Sequence, residues 1–258
     1  MASRPDPHDP EVRPHPTLTD YYPDEPGRKR FVSWLFDETA HNYDWIIRVM
    51  SFGSGTWYRG DALRRVGLGP GMRVLDVACG TGPVAAAALR RVGPQGRVVA
   101  IDPSRGMLRE TRMRVPVPLI QADAEHLPVL GDQFDVVSMG YALRHVADLD
   151  RTFREYLRVL RPEGRVLILE MTPPRSRLGR VLTRFYLGKV VPQIARIGTR
   201  SQDSHTLMRY FWDTIENCVP PDEILDVLRR VGFHKVQRKV FFGLFSEYSG
   251  TKAESTTK

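Results

Sequence analysis

Apolar residues in this chain fall into two alternating patterns, helical spacing and short continuous runs, and the alternation predicts a layered domain of strands and helices. From Phe31 to Met50 the spacing is helical: Phe31, Trp34 and Leu35 are followed by Ile46, Ile47 and Met50, so one or two amphipathic helices should precede the first strand. Another helix is expected from about 57 to 66, ending at Gly67. Strands are then predicted near 72–77, 97–101, 117–121, 134–139 and 164–170, and helices near 83–92, 104–113 and 148–160. Pro220 and Pro221 open a further helix that stops at Gly232, and strands near 235–241 and 244–250 close the chain as a hairpin. The fold class that follows is α/β: a Rossmann-like, seven-stranded, mostly parallel sheet with helices on both faces and a C-terminal antiparallel hairpin.

Three stretches stand apart from this pattern. Residues 1–28 hold seven prolines, interspersed charge and little apolar content, which predicts a disordered tail ahead of a single domain over 29–252. A second short tail is expected at 253–258. Residues 174–217 interrupt the strand-helix alternation with Leu178, Val181, Leu182, Phe185 and Tyr186 on one helical face, and a helical lid at the substrate site is the expectation there.

Composition narrows the class. At 258 residues, with 41% hydrophobic and 26% charged residues, the chain suits one globular domain. No apolar run reaches the length of a membrane span, and the first thirty residues lack the apolar core of a signal peptide, so a cytoplasmic location is expected. Two cysteines, Cys79 and Cys218, exclude a disulfide framework and a cysteine zinc cluster, and no metal site is expected. The net charge is +8, and between Arg175 and Arg209 eight basic residues face the single acid Asp203. That concentration fits peripheral contact with an anionic membrane on its inner face or an acidic substrate, with a plainly solvated helix face as the alternative. The basic balance does not extend to nucleic acid, because Gly140-Tyr141-Ala142-Leu143 stands after the fourth strand where base methylation would need an (Asn/Asp)-Pro-Pro-(Tyr/Phe) element.

The most specific chemistry lies in Val74-Leu75-Asp76-Val77-Ala78-Cys79-Gly80-Thr81-Gly82, an apolar strand that meets an acid and then a two-glycine turn. Bare backbone at such a turn lets a nucleotide-type cofactor approach closely. The segment from Gly80 to Ala85 satisfies a loose dinucleotide fingerprint, but Asp76 would repel a pyrophosphate seated on the following helix. S-adenosylmethionine carries an ammonium and a cationic sulfonium and no phosphate, so a carboxylate favours it. Asp102, at the end of the next strand, is placed to accept the two ribose hydroxyls common to both cofactors.

The chain resembles class I S-adenosylmethionine-dependent methyltransferases, and specifically the ubiquinone/menaquinone-biosynthesis C-methyltransferase family, over about residues 31–252. Several motifs carry the resemblance: Phe36 with Tyr43-Asp44, Met50-Ser51-Phe52-Gly53, Leu75-Asp76 to Gly82, Asp102-Pro103-Ser104 with Met107-Leu108, and Ala122 to Pro128. Leu143-Arg144-His145, Arg158-Val159-Leu160, Leu169-Glu170 and Arg209-Tyr210 with Ile215 complete it. The resemblance implies S-adenosyl-L-methionine as cofactor and a contact set of Asp76, Ala78, Gly80, Thr81, Gly82, Asp102, Pro103, Met107, Asp123, Ala124 and Met139. In that set Gly80 and Gly82 line the methionine portion, Asp102 holds the ribose, and Asp123 and Ala124 meet the adenine. The acceptor side departs from the family pattern. Ile47 and Arg48 stand where an Asn and an acid are usual, Pro83 replaces an acid, His145 replaces an Asn, and Met208 replaces a Tyr.

Carbon methylation of a quinol or phenol ring is the leading expectation, with O- or N-methylation of a small secondary metabolite as the alternative and a non-catalytic cofactor-binding protein as a third reading. Arg144 is expected to stabilise a developing phenolate, the alternative being an ion pair with Asp148 or Asp150. His145 is expected to accept the phenolic proton, and Tyr43 and Tyr210 to orient the ring, with core packing as the competing role for each.

Overall fold

The computed structural model describes residues 12–50 and 55–254. Its sheet has seven strands in the order β3-β2-β1-β4-β5-β7-β6. Five are parallel: β1 (Arg73–Val77), β2 (Arg97–Asp102), β3 (Leu119–Gln121), β4 (Phe134–Gly140) and β5 (Leu160–Met171). The last two, β6 (Phe233–Phe241) and β7 (Phe245–Lys252), form the expected hairpin, and β7 runs antiparallel beside β5. Strand order reverses between β1 and β4, so the connections leaving their carboxyl ends run to opposite faces of the sheet and open a crevice.

The helices follow from which residues they can bury. Of α3 (Pro83–Val92), α4 (Arg105–Arg114) and α5 (Leu149–Val159), the last turns Leu149, Phe153, Tyr156 and Val159 inward. They pack with Ile224, Val227, Leu228 and Val231 of α9 (Pro221–Val231) on one face of the sheet. On the other face α3 packs Val84, Ala85, Ala88 and Val92 against Ala62 and Leu63 of α2 (Gly55–Arg65). A single helix, α1 (Glu25–Met50), spans the stretch for which one or two helices were expected.

Two expectations need correction. The tail predicted to be disordered through residue 28 is folded where it is described: His15 and Tyr22 are buried, the Leu149 and Val219 amides donate to the carbonyls of Val12 and Pro14 at 2.9 and 2.8 Å, and the Tyr21 hydroxyl donates to Asp213. Proline removes an N–H donor but leaves the carbonyl free to accept, and the two tyrosines supply apolar area to bury. Strand β5 begins at Leu160 rather than near 164, because Leu160 pairs with Phe134 before a register shift, and Glu163 at φ 65° absorbs the irregularity. The insertion at 174–217 is helical, as expected, and is part exposed and part buried. It comprises α6 (Arg177–Phe185), a π-helical turn (Tyr186–Val190), α7 (Val191–Thr199) and α8 (Gln202–Glu216), and α8 buries Leu207, Met208, Tyr210, Phe211 and Trp212 while α6 buries nothing. Residues 1–11, 51–54 and 255–258 lie outside the described residues, and so do Ser51, Phe52 and Gly53 of the expected motif and most of the short C-terminal tail.

Candidate active site

A cleft of about 2260 Å³ opens at the carboxyl ends of β1, β2 and β4. Its floor is the turn after β1. Gly80 adopts φ 58° and Gly82 φ 86°, and a Cβ on Gly82 would come within 2.9 Å of the Thr111 methyl and 3.0 Å of Val115. Only glycine combines that dihedral with so close an approach of α4. Thr111 in turn donates its hydroxyl to the Gly80 carbonyl at 2.7 Å, which fixes the turn to α4.

Two carboxylates sit at this floor. Asp76 is fully buried; its Oδ1 accepts from the Ser138 hydroxyl at 2.8 Å, and its Oδ2 has no partner. Asp102 accepts from the Gly80 amide at 2.8 Å and from the Ser104 amide at 2.9 Å, one to each oxygen. Each of its oxygens keeps a second lone pair, which suits a diol. Burial pushes Asp76 up to about 7 and Asp102 up to about 6, against the pull of those hydrogen bonds. A cation bound here favours the ionised carboxylates. S-adenosylmethionine binding should therefore release protons between pH 6 and 7, and its affinity should fall as the medium is acidified through that window. Calorimetry in buffers of different ionisation enthalpy reads this directly, and a buffer-independent enthalpy across the window would contradict it.

Of the expected cofactor contacts, Asp76, Ala78, Gly80, Thr81, Asp102, Pro103, Met107, Asp123 and Ala124 line the cleft. Gly82 shapes the turn from behind the surface. Met139 does not reach the cleft: it is fully buried in the sheet core, with the Tyr156 hydroxyl 3.5 Å from its sulfur, because alternate residues of β4 point to opposite faces and Gly140 takes the lining position. Helix α1 closes this end of the cleft through two acids that tie it to α4 and to the glycine turn. Asp37 accepts from the Ser104 hydroxyl at 2.6 Å and from the Gly106 amide at 2.9 Å, and Asp44 accepts from Thr81 and pairs with Arg114. Charged residues on a helix read as a solvated face, and only the tertiary approach of α4 reveals them as ties.

Beyond this polar floor the cleft becomes an aromatic chamber in which Phe36, Tyr43, Tyr141, Phe211 and Phe245 line the walls together with His145. His145 stacks on Tyr210 with centroids 5.5 Å apart and meets the edge of Phe36 at 5.2 Å, and neither ring nitrogen has a partner. Burial, with Arg144, His15 and Arg28 adding like charge, drives its pKa well below 6.5 and holds the imidazole neutral. Tyr43 lines the chamber, and burial raises its pKa, which keeps the phenol protonated.

Arg144 and Tyr210 lie behind the wall instead of on it. Arg144 is fully buried, pairs with Glu170, donates to the Thr214 hydroxyl at 3.0 Å and lies 4.2 Å over the Phe211 ring. Its partner is neither Asp148, which caps α5, nor Asp150 in the first turn of that helix, and both bind other arginines. An acid ending the apolar run Val166-Leu167-Ile168-Leu169 signals a buried counter-charge, and that signal points to Glu170. Among the described residues no cluster of three His, Cys, Asp or Glu side chains could hold a metal ion, and no helix is long and apolar enough to cross a membrane.

Known proteins resemble this chain in sequence and in fold. The profile of the ubiE/COQ5 methyltransferase family matches residues 25–252. The ubiquinone/menaquinone biosynthesis C-methyltransferase of Idiomarina loihiensis is 34% identical, with 81% of this chain and 85% of that protein covered. The demethylmenaquinone methyltransferase of Symbiobacterium thermophilum is 33% identical, with 90% and 97% covered. Among solved structures, an S-adenosylmethionine-dependent methyltransferase from Thermotoga maritima superposes with a TM-score of 0.60 at 20% identity, over 85% of this chain and 99% of that one, a likeness of fold.

Proposed function

The chain belongs to the ubiE/COQ5 methyltransferase family, and from that premise we propose that it methylates a ring carbon of a quinol bearing a long apolar tail, with S-adenosylmethionine as donor. The observation that carries this reading is the continuity of one cleft from the carboxylate floor through the aromatic chamber to an apolar rim. Its volume of about 2260 Å³ exceeds the roughly 300–1,000 Å³ usual for one small ligand, which leaves room for a cofactor and a bulky acceptor together.

When bound, S-adenosylmethionine supplies a methyl group on a cationic sulfur. The chain's residues set up the rest. The aromatic walls hold the acceptor ring flat, and placement of the reacting carbon alone can lower the barrier by about 7–11 kcal/mol. Neutral His145 takes the phenolic proton, which raises electron density on the neighbouring ring carbon, and the protonated Tyr43 donates a hydrogen bond to orient the ring. One methyl then replaces one ring hydrogen: His145 returns its proton to the phenolic oxygen, and the ring hydrogen leaves to solvent as the single net proton. Arg144, held by Glu170, stands behind His145 as a positioning residue. Because the imidazole is already neutral at pH 6.5, kcat/KM for the acceptor at saturating S-adenosylmethionine should hold to below that pH and fall only in more acid medium. His145→Asn should remove this acid limb and lower kcat about 10²- to 10⁴-fold. An unchanged profile would remove the base from His145.

The rim points to where the acceptor comes from. Trp34, Trp45, Trp57, Leu182 and Phe242 are exposed and also line the cleft, and Leu178, Val181 and Phe185 extend the same apolar surface along α6 with 59–70% exposure. Arg177, Arg180 and Arg184 lie on the same helix. An exposed apolar face flanked by arginines suits an anionic bilayer surface, so the tailed quinol would pass from lipid into the cleft without crossing water. The test is turnover of a tailed against a tail-less quinol, with sedimentation on vesicles containing anionic lipid. The tailed quinol should be preferred, and binding should fall with salt and with Leu178→Glu/Phe185→Glu. Equal use of both quinols would overturn the tail, and no vesicle binding at low salt would overturn the membrane contact.

The altered positions Ile47 and Pro83 also line the cleft, which supports a second reading, O- or N-methylation of a smaller metabolite.

A further inference from the structure

Among the described residues, a buried cationic side chain in the cleft has no counter-charge. Arg59, on α2, lines the cleft with only 8% of its surface exposed, and its Nε is buried without a hydrogen-bond partner. Among the described residues no carboxylate comes within ion-pair distance; the guanidinium lies 5.6 Å from the centroid of the Tyr141 ring, just past the end of β4. This contrasts with its neighbour Arg65, which pairs with both Asp61 and Glu247. A buried guanidinium without an anion is costly, and its planar fork of donors is shaped for a carboxylate.

A second unpartnered atom of opposite sign lies in the same cleft. Asp76 Oδ2 is buried and has no donor, and Arg59 is close enough to Asp76 to stabilise its ionised form. One acceptor and one guanidinium, both buried and both unsatisfied, complement an α-amino acid: the ammonium on the carboxylate, the carboxylate on the guanidinium. The geometry points to Arg59 as the anchor for the carboxylate of the S-adenosylmethionine amino-acid end, with Asp76 Oδ2 receiving its ammonium. This rests on the cofactor reading above. The consequence is an orienting role: with the adenosine held by Asp102 and the amino-acid tail held by Arg59, the sulfonium between them is fixed at both ends.

The test compares ligands that differ in that one group. The purified full chain is titrated with S-adenosylmethionine, with its decarboxylated analogue and with 5′-methylthioadenosine, and affinities are read by calorimetry. In the unaltered protein the decarboxylated analogue should bind about 10- to 100-fold more weakly than S-adenosylmethionine. In Arg59→Gln that preference should vanish, while 5′-methylthioadenosine binds as before and shows that the pocket is intact. Arg59→Lys, which keeps the charge and loses the fork, should keep part of the preference and serves if the glutamine variant proves unstable. Two results would overturn the assignment: equal affinity for the carboxylated and decarboxylated ligands in the unaltered protein, or a full preference surviving in Arg59→Gln. Failure of the unaltered protein to bind any of the three ligands would instead overturn the cofactor reading beneath it.

Discussion

Asp102→Ala should weaken S-adenosylmethionine binding by about a hundredfold or more and do so without a comparable effect on acceptor binding. The size follows from what the carboxylate holds. Its two oxygens accept from the Gly80 and Ser104 amides at 2.8 and 2.9 Å, and each keeps a lone pair that suits one hydroxyl of a ribose diol. Two charge-assisted hydrogen bonds together contribute about 3–6 kcal/mol. Truncation also leaves those two amides unsatisfied and loosens the turn that the cofactor presses against. Asp102→Asn keeps one acceptor of the same shape and should lose less. Equilibrium dialysis with labelled cofactor is sufficient, and an affinity within about threefold of the unaltered protein would remove Asp102 from the site.

The second large effect is on stability. Arg144→Met should lower the unfolding free energy by about 3–5 kcal/mol, since it strands Glu170 as a buried charge, and the midpoint of thermal unfolding should drop by roughly 6–20 °C. Both side chains are fully buried and bonded to one another, so the penalty is that of an orphaned ion and not of a lost surface bridge. Burial already raises the pKa of Glu170 against the pull of Arg144, and without its partner the acid should take up a proton. The double variant Arg144→Met/Glu170→Leu removes both charges and should recover most of the loss. If it is instead as unstable as the two single variants combined, the pair is not the source of the effect. With stability restored, the double variant should bind cofactor normally and turn over slowly, because the wall behind His145 has lost its fixed charge.

The sheet was legible because β1, β2 and β4 are short apolar runs bounded by glycine and acid, and the helices between them carry apolar residues at one spacing. The cofactor floor was legible for a related reason. A turn that needs positive φ at Gly80 and Gly82 restricts residue type, and an acid closing an apolar strand has few roles. The acceptor wall was not, since Arg144 and His145 are adjacent in the chain but face different surroundings after the turn at Leu143–His145, a difference that spacing does not encode. The packing of the N-terminal tail was not legible, because proline content masks the ability of the Val12 and Pro14 carbonyls to accept from distant amides. Arg59 carried no local signal at all; its isolation from any carboxylate is visible only in three dimensions.

The most direct test of the account is the position of the transferred group. The enzyme is incubated with S-adenosylmethionine carrying a deuterated methyl and with a prenylated quinol that has one unsubstituted ring carbon, and the product is analysed by mass spectrometry and NMR. The trideuteromethyl group should appear on that ring carbon, with one ring hydrogen lost and a label that survives chemical dealkylation. A label on oxygen or nitrogen, or a protein that binds the donor tightly and leaves the quinol unchanged, would contradict it.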